Sequence, residues 1–307
     1  MVDKEDDMAV GVQHWDAFTR LAGKGNPAGI VLAAQDFSDS DMQAIASAVG
    51  FNDTAFVLSS NTADLRIRYF GRSREVDLCG HATIAAFAAL HHRCLLPPDK
   101  IDGIYMLETK SGVLPISIDL TDDHSPLVVM TQGVAQFAPF NGSRDRLARV
   151  LGIAATDFHA TLPIVYGSTG RWTLVVPARD LATMQRMCPK PDEFVATLAD
   201  RPDASIHPFC FETINPEAVV HARHFSSPTS GTLEDAVTGT ASGVLGAYYR
   251  RFVAQTVDGT PPWVIEQGYE VGREGSVKVW VSQEGENYTV KIAGSACFIR
   301  DIKIDRP

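Results

Sequence analysis

The chain has 307 residues, 45% hydrophobic and 21% charged, with 27 Lys and Arg against 37 Asp and Glu and a net charge of -10. This is the profile of a globular protein of about two ordinary domains. It lacks the dense basic patch of a nucleic-acid binder, and no apolar run reaches the length of a membrane span, so neither nucleic acid nor membrane is an expected partner.

In chain order, "MVDKEDDMAV" is acidic where a secretory leader would be basic and then apolar, so Met1 to Asp7 is expected to be a solvated, disordered tail. Short strands follow: "VGVQHWDAF", "AGIVLA", "TAFVLSS" and "LRIRYF", with a helix at "SDMQAIASAVG" for which Ser40 is the expected N-cap. "HATIAAFAALHH" is apolar nearly all round and predicts a helix buried on most sides. The strands "GIYMLET" and "VLPISIDL" come next. Strands gathered around one helix, without regular β-α alternation, predict an α+β or closed-sheet arrangement. Five cysteines (Cys79, Cys94, Cys188, Cys210 and Cys297), odd in number and without a CxxC pair, imply reduced thiols and a cytoplasmic setting.

The second half echoes the first. "LRIRYFGRSREVDLCGHATIAAFAAL" overlays "VVHARHFSSPTSGTLEDAVTGTASGVLGAYY": an alternating strand reaches Phe70 or Phe225, then come a polar loop, a glycine and an Ala/Leu-rich helix. Cys79-Gly80-His81-Ala82 falls on Thr238-Gly239-Thr240-Ala241, and downstream Glu108 and Glu266 each precede glycines and a further strand. This predicts two similar domains, 1–130 and 131–307, with "TQGVAQFAPFNG" as the crossover and a strand near 295–307 returning to the first domain. Such repetition suggests duplication and a pseudo-twofold cleft.

A helix N-terminus offers unpaired N–H groups and the positive end of the macrodipole, and a glycine there lets a ligand approach the backbone. Gly80 and Gly239, with Thr238 and Thr240, are therefore candidates to hold a substrate carboxylate. The same field favours the thiolate of Cys79 and makes it a candidate base. The plainer reading, a packed thiol beside a tight turn, loses ground to the echo at Gly239. No P-loop, GxGxxG, HExxH or GxSxG pattern occurs, and "HHRC" and "HARH" lack further ligands at metal spacing, so neither metal nor organic cofactor is expected.

"FTRLAGKGNPAGIVL", "MQAIASAVGFNDTAFVL", "REVDLCGHATIAAFAAL" and "GTLEDAVTGTASGVLGAYY" together resemble the signature segments of the phenazine-biosynthesis isomerase (PhzF-like) family, in its order and over nearly the whole chain. The resemblance implies a diaminopimelate-epimerase-like fold: two α+β domains, each a sheet or open barrel around a central helix, with the active site in the cleft between them. It further implies catalysis without metal or organic cofactor, a small carboxylate substrate and a homodimer. Residue by residue, Asp53 falls where the family typically has a proton-moving glutamate, His81 on its active-site histidine and Asp235 on its aspartate from the opposite domain, while Asn26 falls on a loop lining the cleft. For Asn26 a turn role before Pro27 is equally open, and for Asp53 a capping or turn role.

Two departures shape the expected chemistry. Asp53 is one methylene shorter than glutamate, so it needs a closer backbone, a water relay or another substrate. Related racemases place a cysteine in each half, whereas Cys79 is here echoed by Thr238, whose hydroxyl is too weak an acid–base group for two-base racemisation. The leading expectation is a one-base proton-shift isomerase with Asp53 or Cys79 as base. The alternatives are a dehydratase acting on a hydroxy amino acid through Cys79, and an inert small-molecule-binding homologue. Glu234 beside Asp235 is expected to be an ordinary acidic surface residue.

Overall fold

The structure, a computed structural model, describes residues 9–97, 103–121, 125–228, 230, 232–254 and 262–306. The acidic tail lies outside them. The chain divides into two units, Met1–Met130 with Ala293–Pro307, and Thr131–Ile292.

The first unit runs β1 (Ala9–Ala17), β2 (Asn26–Val31), α1 (Asp39–Val49), β3 (Asp53–Leu58), β4 (Leu65–Gly71), β5 (Glu75–Val76), α2 (Gly80–His92), β6 (Ile104–Thr109), β7 (Gly112–Leu120) and β8 (Pro126–Thr131). β1 pairs antiparallel with β2, β2 parallel with β3, β3 antiparallel with β4, β4 parallel with β6, and β6 and β7 antiparallel with their successors. Each parallel step requires a crossover, and a helix supplies it: α1 between β2 and β3, α2 between β4 and β6. α1 begins two residues earlier than the sequence suggests. Ser38 is the N-cap and forms a capping box with Asp41, while the Ser40 hydroxyl turns back to that of Ser38 at 2.8 Å. Reciprocal satisfaction of two end donors outweighs Ser40's own capping preference. Met42, Ile45 and Ala46 of α1 pack with Val12, Phe56 and Phe70. α2 is buried continuously from His81 to Leu90 and lies against β1, β2, β3 and the last strand of the chain.

The second unit runs β9 (Gln136–Pro139), α3 (Arg144–Leu151), β10 (Val165–Ser168), β11 (Trp172–Pro177), α4 (Leu181–Arg186), α5 (Phe194–Thr197), β12 (Ser205–Cys210), β13 (Val220–Ala222), α6 (Gly239–Phe252), β14 (Trp263–Gln267), β15 (Gly275–Glu284) and β16 (Asn287–Gly294). The stretch expected to be a crossover therefore contains a strand, β9, which pairs with β10. The directions repeat those of the first unit: antiparallel from β9 to β11, parallel to β12, antiparallel to β13, parallel to β14 and antiparallel to β15. α6 takes the place of α2 and packs on β10, β11 and β15. β17 (Ala296–Asp305) returns to the first unit and pairs antiparallel along the whole of β1, from Ala9 opposite Asp305 to Ala17 opposite Ala296. The α+β architecture holds in both units.

The repeat extends to register. Arg66 stands opposite Glu108 in one parallel pairing and His221 opposite Glu266 in the other. Arg68 donates Nε to Glu75 at 2.8 Å, with its guanidinium 5.1 Å from the Phe70 ring centre. Arg223 donates to both oxygens of Glu234 at 2.8 and 2.7 Å, with its guanidinium 4.8 Å from Phe225. Phe70 is paired with Glu75 and Phe225 with Glu234. In the second unit, however, "VVHARHF" forms strand only over Val220–Ala222, and Phe225 keeps isolated bridges to Ile206 and Glu234.

Candidate active site

The N-terminus of α2 follows from the clip before it. Glu75, fixed by Arg68, starts a five-residue run to Cys79, which ends extended at φ -136° and ψ 115° as the N-cap of α2. The thiol makes no capping hydrogen bond. Instead its carbonyl accepts from the Thr83 N–H at 3.0 Å and hydroxyl at 2.7 Å, and Thr83 is bonded to the buried Tyr69 hydroxyl at 2.7 Å. Burial holds the Tyr69 phenol far above its ordinary pKa, so it stays protonated beside Thr83.

With the helix end fixed, the Cys79 thiol turns towards Asp53, the first residue of β3. Sγ donates to Asp53 Oδ2 at 3.3 Å and lies 3.3 Å from His81 Nδ1 and 3.8 Å from Nε2. His81 Nε2 is 3.8 Å from Asp53 Oδ2. Cys79 and His81 are buried, and Asp53 keeps part of its carboxylate in solvent. Three of the candidate residues thus converge on one spot, and the shorter aspartate reaches its neighbours. A methyl group built on Gly80 would meet nothing within 4 Å, so there is room beside the backbone at the helix entrance. Among the described residues, Asp53, Cys79 and His81 also form a donor set able to hold a cation, their ligating atoms all within 4.8 Å of one another. Asn26 is fully buried at the start of β2, opposite Ala17, rather than in a loop.

The second unit repeats the construction with different chemistry. Glu234 begins the five-residue run to Thr238, the N-cap of α6 at φ -118° and ψ 100°. Ser242, like Thr83, donates its N–H and hydroxyl to the N-cap carbonyl, at 3.0 and 2.9 Å. Glu234 is no surface acid. Its side chain, largely removed from solvent, packs against Arg223, whose guanidinium also donates to the Met184 and Met187 carbonyls. Asp235 turns the other way and accepts the Thr238 hydroxyl on Oδ2 at 2.6 Å. Gly239 is buried and Thr240 half-buried in the first turn of α6.

Sequence reasoning missed Gln267. This buried side chain accepts from the Thr238 N–H at 3.2 Å and donates to the Asp235 carbonyl at 2.8 Å and the Thr238 hydroxyl at 3.3 Å. It ties the whole 235–238 run to the end of β14. The only hint in the sequence was its place beside Glu266 in the echoed segment. His224 was also missed: its carbonyl accepts from the Asp235 N–H at 3.0 Å, and its Nδ1 lies 3.3 Å from that of His207. Burial pushes both imidazoles down, so the pair is neutral.

No helix among the described residues is long and apolar enough to cross a membrane. A family model for phenazine biosynthesis-like proteins matches residues 15–301. The chain is 44% identical over 287 residues to "Uncharacterized isomerase YfhB" of Bacillus subtilis, covering 94% of this chain and 96% of that one. It is 28% identical over 290 residues to the trans-2,3-dihydro-3-hydroxyanthranilate isomerase of Pseudomonas aeruginosa, covering 91% and 94%. The crystal structure of a Bacillus anthracis phenazine biosynthesis protein of the PhzF family superposes with a TM-score of 0.93 at 44% identity, covering 96% of this chain and 99% of that one. With the doubled α+β topology, these likenesses place the chain in the phenazine biosynthesis-like (PhzF) family, with the diaminopimelate-epimerase-like fold, as an enzyme of the isomerase class.

Proposed function

We propose that the protein is a cofactor-independent isomerase that shifts a proton on a small carboxylate-bearing metabolite, with Asp53 as the base. The observation that carries this reading is the convergence of Asp53, Cys79 and His81 within 3.3 to 3.8 Å at the entrance of α2. A proton shift needs a group to take a proton and a group to return one, within hydrogen-bond reach of the substrate. Asp53 meets Cys79 through Oδ2, so Oδ1 is the oxygen assigned to the substrate C–H. The Cys79 thiol stands between Asp53 and His81 and can hand a proton from one to the other, which lets His81 return it at a second carbon. The substrate carboxylate is assigned to the first-turn N–H groups beside Gly80, where there is space and the helix dipole favours an anion. Asp235, held by Thr238, is the second acid of this reading. The pairing of Cys79 with Thr238 at equivalent helix caps favours a one-base shift over two-base racemisation.

The test is incubation in deuterated water with a panel of cyclic and unsaturated amino and hydroxy acids, followed by proton NMR. Loss of one C–H signal with a displaced double bond is expected. Asp53→Asn should lower turnover more than about a hundredfold, and Asp235→Asn about tenfold or more. Full activity in Asp53→Asn would move the base to Cys79. Release of a keto acid would make the enzyme a dehydratase, and carboxylate binding without exchange across the panel would make it an inert homologue.

A further inference from the structure

Three ligands of one tetrahedral ion stand at fixed separations. With sulfur about 2.3 Å and nitrogen and oxygen about 2.0 Å from a zinc ion, the ligand atoms lie about 3.3 to 3.6 Å apart. In the first unit the Cys79 Sγ, Asp53 Oδ2 and His81 Nε2 atoms form a triangle with edges of 3.3, 3.8 and 3.8 Å. Small side-chain rotations bring these edges to the tetrahedral values. Without an ion the thiol bridges Asp53 Oδ2 and His81 Nδ1, each at 3.3 Å, and a small turn of the imidazole presents Nε2 in its place. His81 Nε2 and Asp53 Oδ2 at 3.8 Å are too far apart for a hydrogen bond, yet both are within reach of one ion. Thiolate, imidazole and carboxylate are also the donor types that zinc takes.

We propose that Cys79, His81 and Asp53 bind a thiophilic divalent cation of the zinc class, which shuts the acid–base site reversibly. On binding, the Cys79 thiol proton leaves to solvent and Sγ becomes a ligand, His81 coordinates through Nε2 and Asp53 through Oδ2. Three protein ligands leave one tetrahedral position open, as in zinc sites that accept a water or a carboxylate. The ion takes the place of the Cys79 thiol proton, occupies the His81 Nε2 lone pair and draws charge from the Asp53 carboxylate, so it breaks the relay from Asp53 to His81 and inhibits the activity proposed above. The inhibition rests on that reading; the binding does not.

The experiment is a titration of reduced, untagged, metal-stripped protein with Co2+ alone, read by visible absorption. One equivalent is expected to give the intense bands of tetrahedral Co2+ and a thiolate-to-metal charge-transfer band, both removed by adding Zn2+. Cys79→Ser should abolish the charge-transfer band, and His81→Ala and Asp53→Asn should each weaken binding more than about tenfold. The double variant Cys94→Ser, Cys188→Ser, which removes two exposed thiols, should bind like the parent. Absence of a charge-transfer band in the parent, its persistence in Cys79→Ser, or its loss in the double variant would overturn the proposal. Metal binding without any isomerisation would remove only the proton-shift reading, and isomerisation insensitive to equimolar Zn2+ in a protein that shows the charge-transfer band would overturn the inhibition.

Discussion

Gly80 can gain a methyl group without touching another atom, and alanine is the better helix residue. Gly80→Ala should therefore leave the melting temperature unchanged or slightly raised. If the substrate lies against this backbone, KM should rise at least severalfold in the same variant, so calorimetry and kinetics separate a binding role from a folding role at one residue. Thr238→Val makes the complementary test in the second unit. It removes the 2.6 Å donor from Asp235 while keeping the branched shape, and is expected to lower turnover more than stability, by about 1 kcal/mol or less in the latter. The residue types at the helix entrances were legible in the sequence, because Cys-Gly-His and Thr-Gly-Thr sit in echoed segments. Their actual partners were not. Asp53 is 26 residues from Cys79, and nothing local to "NDTAF" says that its carboxylate meets a thiol rather than caps a turn.

At the level of elements, the two Arg–Glu clips set where each central helix begins, and they differ in burial. Arg223 is buried and the Glu234 side chain is only 9% exposed, whereas Arg68 and Glu75 keep more contact with water and Arg68 also bonds the exposed Asp39. Removing one partner of a buried pair strands the other charge, so Arg223→Ala should cost on the order of 3 to 5 kcal/mol. Arg68→Ala should cost only about 1 kcal/mol. Denaturant unfolding of both variants tests that order. Gly268 secures the same run from the other side: it sits at φ +95°, and a methyl group there would lie 2.3 Å from the Arg273 carbonyl oxygen and 2.7 Å from that of Ala236. The strands and central helices could be read from alternation and from "HATIAAFAALHH". The clips and the Gln267 brace could not, since each joins residues whose separation is set by the sheet. The Arg223–Glu234 pair also explains why reading Glu234 as an ordinary surface acid fails. Glu234, held by its bridge to Phe225, turns its carboxylate to Arg223, while Asp235 turns to the Thr238 hydroxyl at the helix entrance.

Over the whole molecule, acid and alkali act through different histidines of the second unit. His221 is fully buried; burial alone would lower its pKa, but Glu266 at 2.7 Å and Glu270 at 2.9 Å outweigh that and raise it to about 9. A folded pKa above the unfolded value of about 6.5 means that this contribution is complete below that pH and is lost as pH rises through 9. It amounts to about 3 kcal/mol. The neutral His207–His224 pair has the opposite sign, its stabilisation being complete above about 6.5 and lost as the solution becomes more acid. Melting temperature should therefore fall on both sides of a maximum near neutrality, and His221→Gln should lower the maximum while flattening the alkaline limb. A parent whose melting temperature is constant from pH 6.5 to 9 would contradict the buried imidazolium.

The return of β17 to β1 bears on how the protein is made. Residues 131–292 are contiguous, so every strand of the second unit is available once Ile292 has been synthesised. The first unit starts earlier and finishes later: β1 must wait for residues 296–305 before its outer row of backbone groups is paired. During synthesis that row is an open edge, the kind of surface on which chains stick to one another. The order of completion on the ribosome is thus the reverse of the order of the sequence, and a chain shortened by its last strand would carry that open edge permanently.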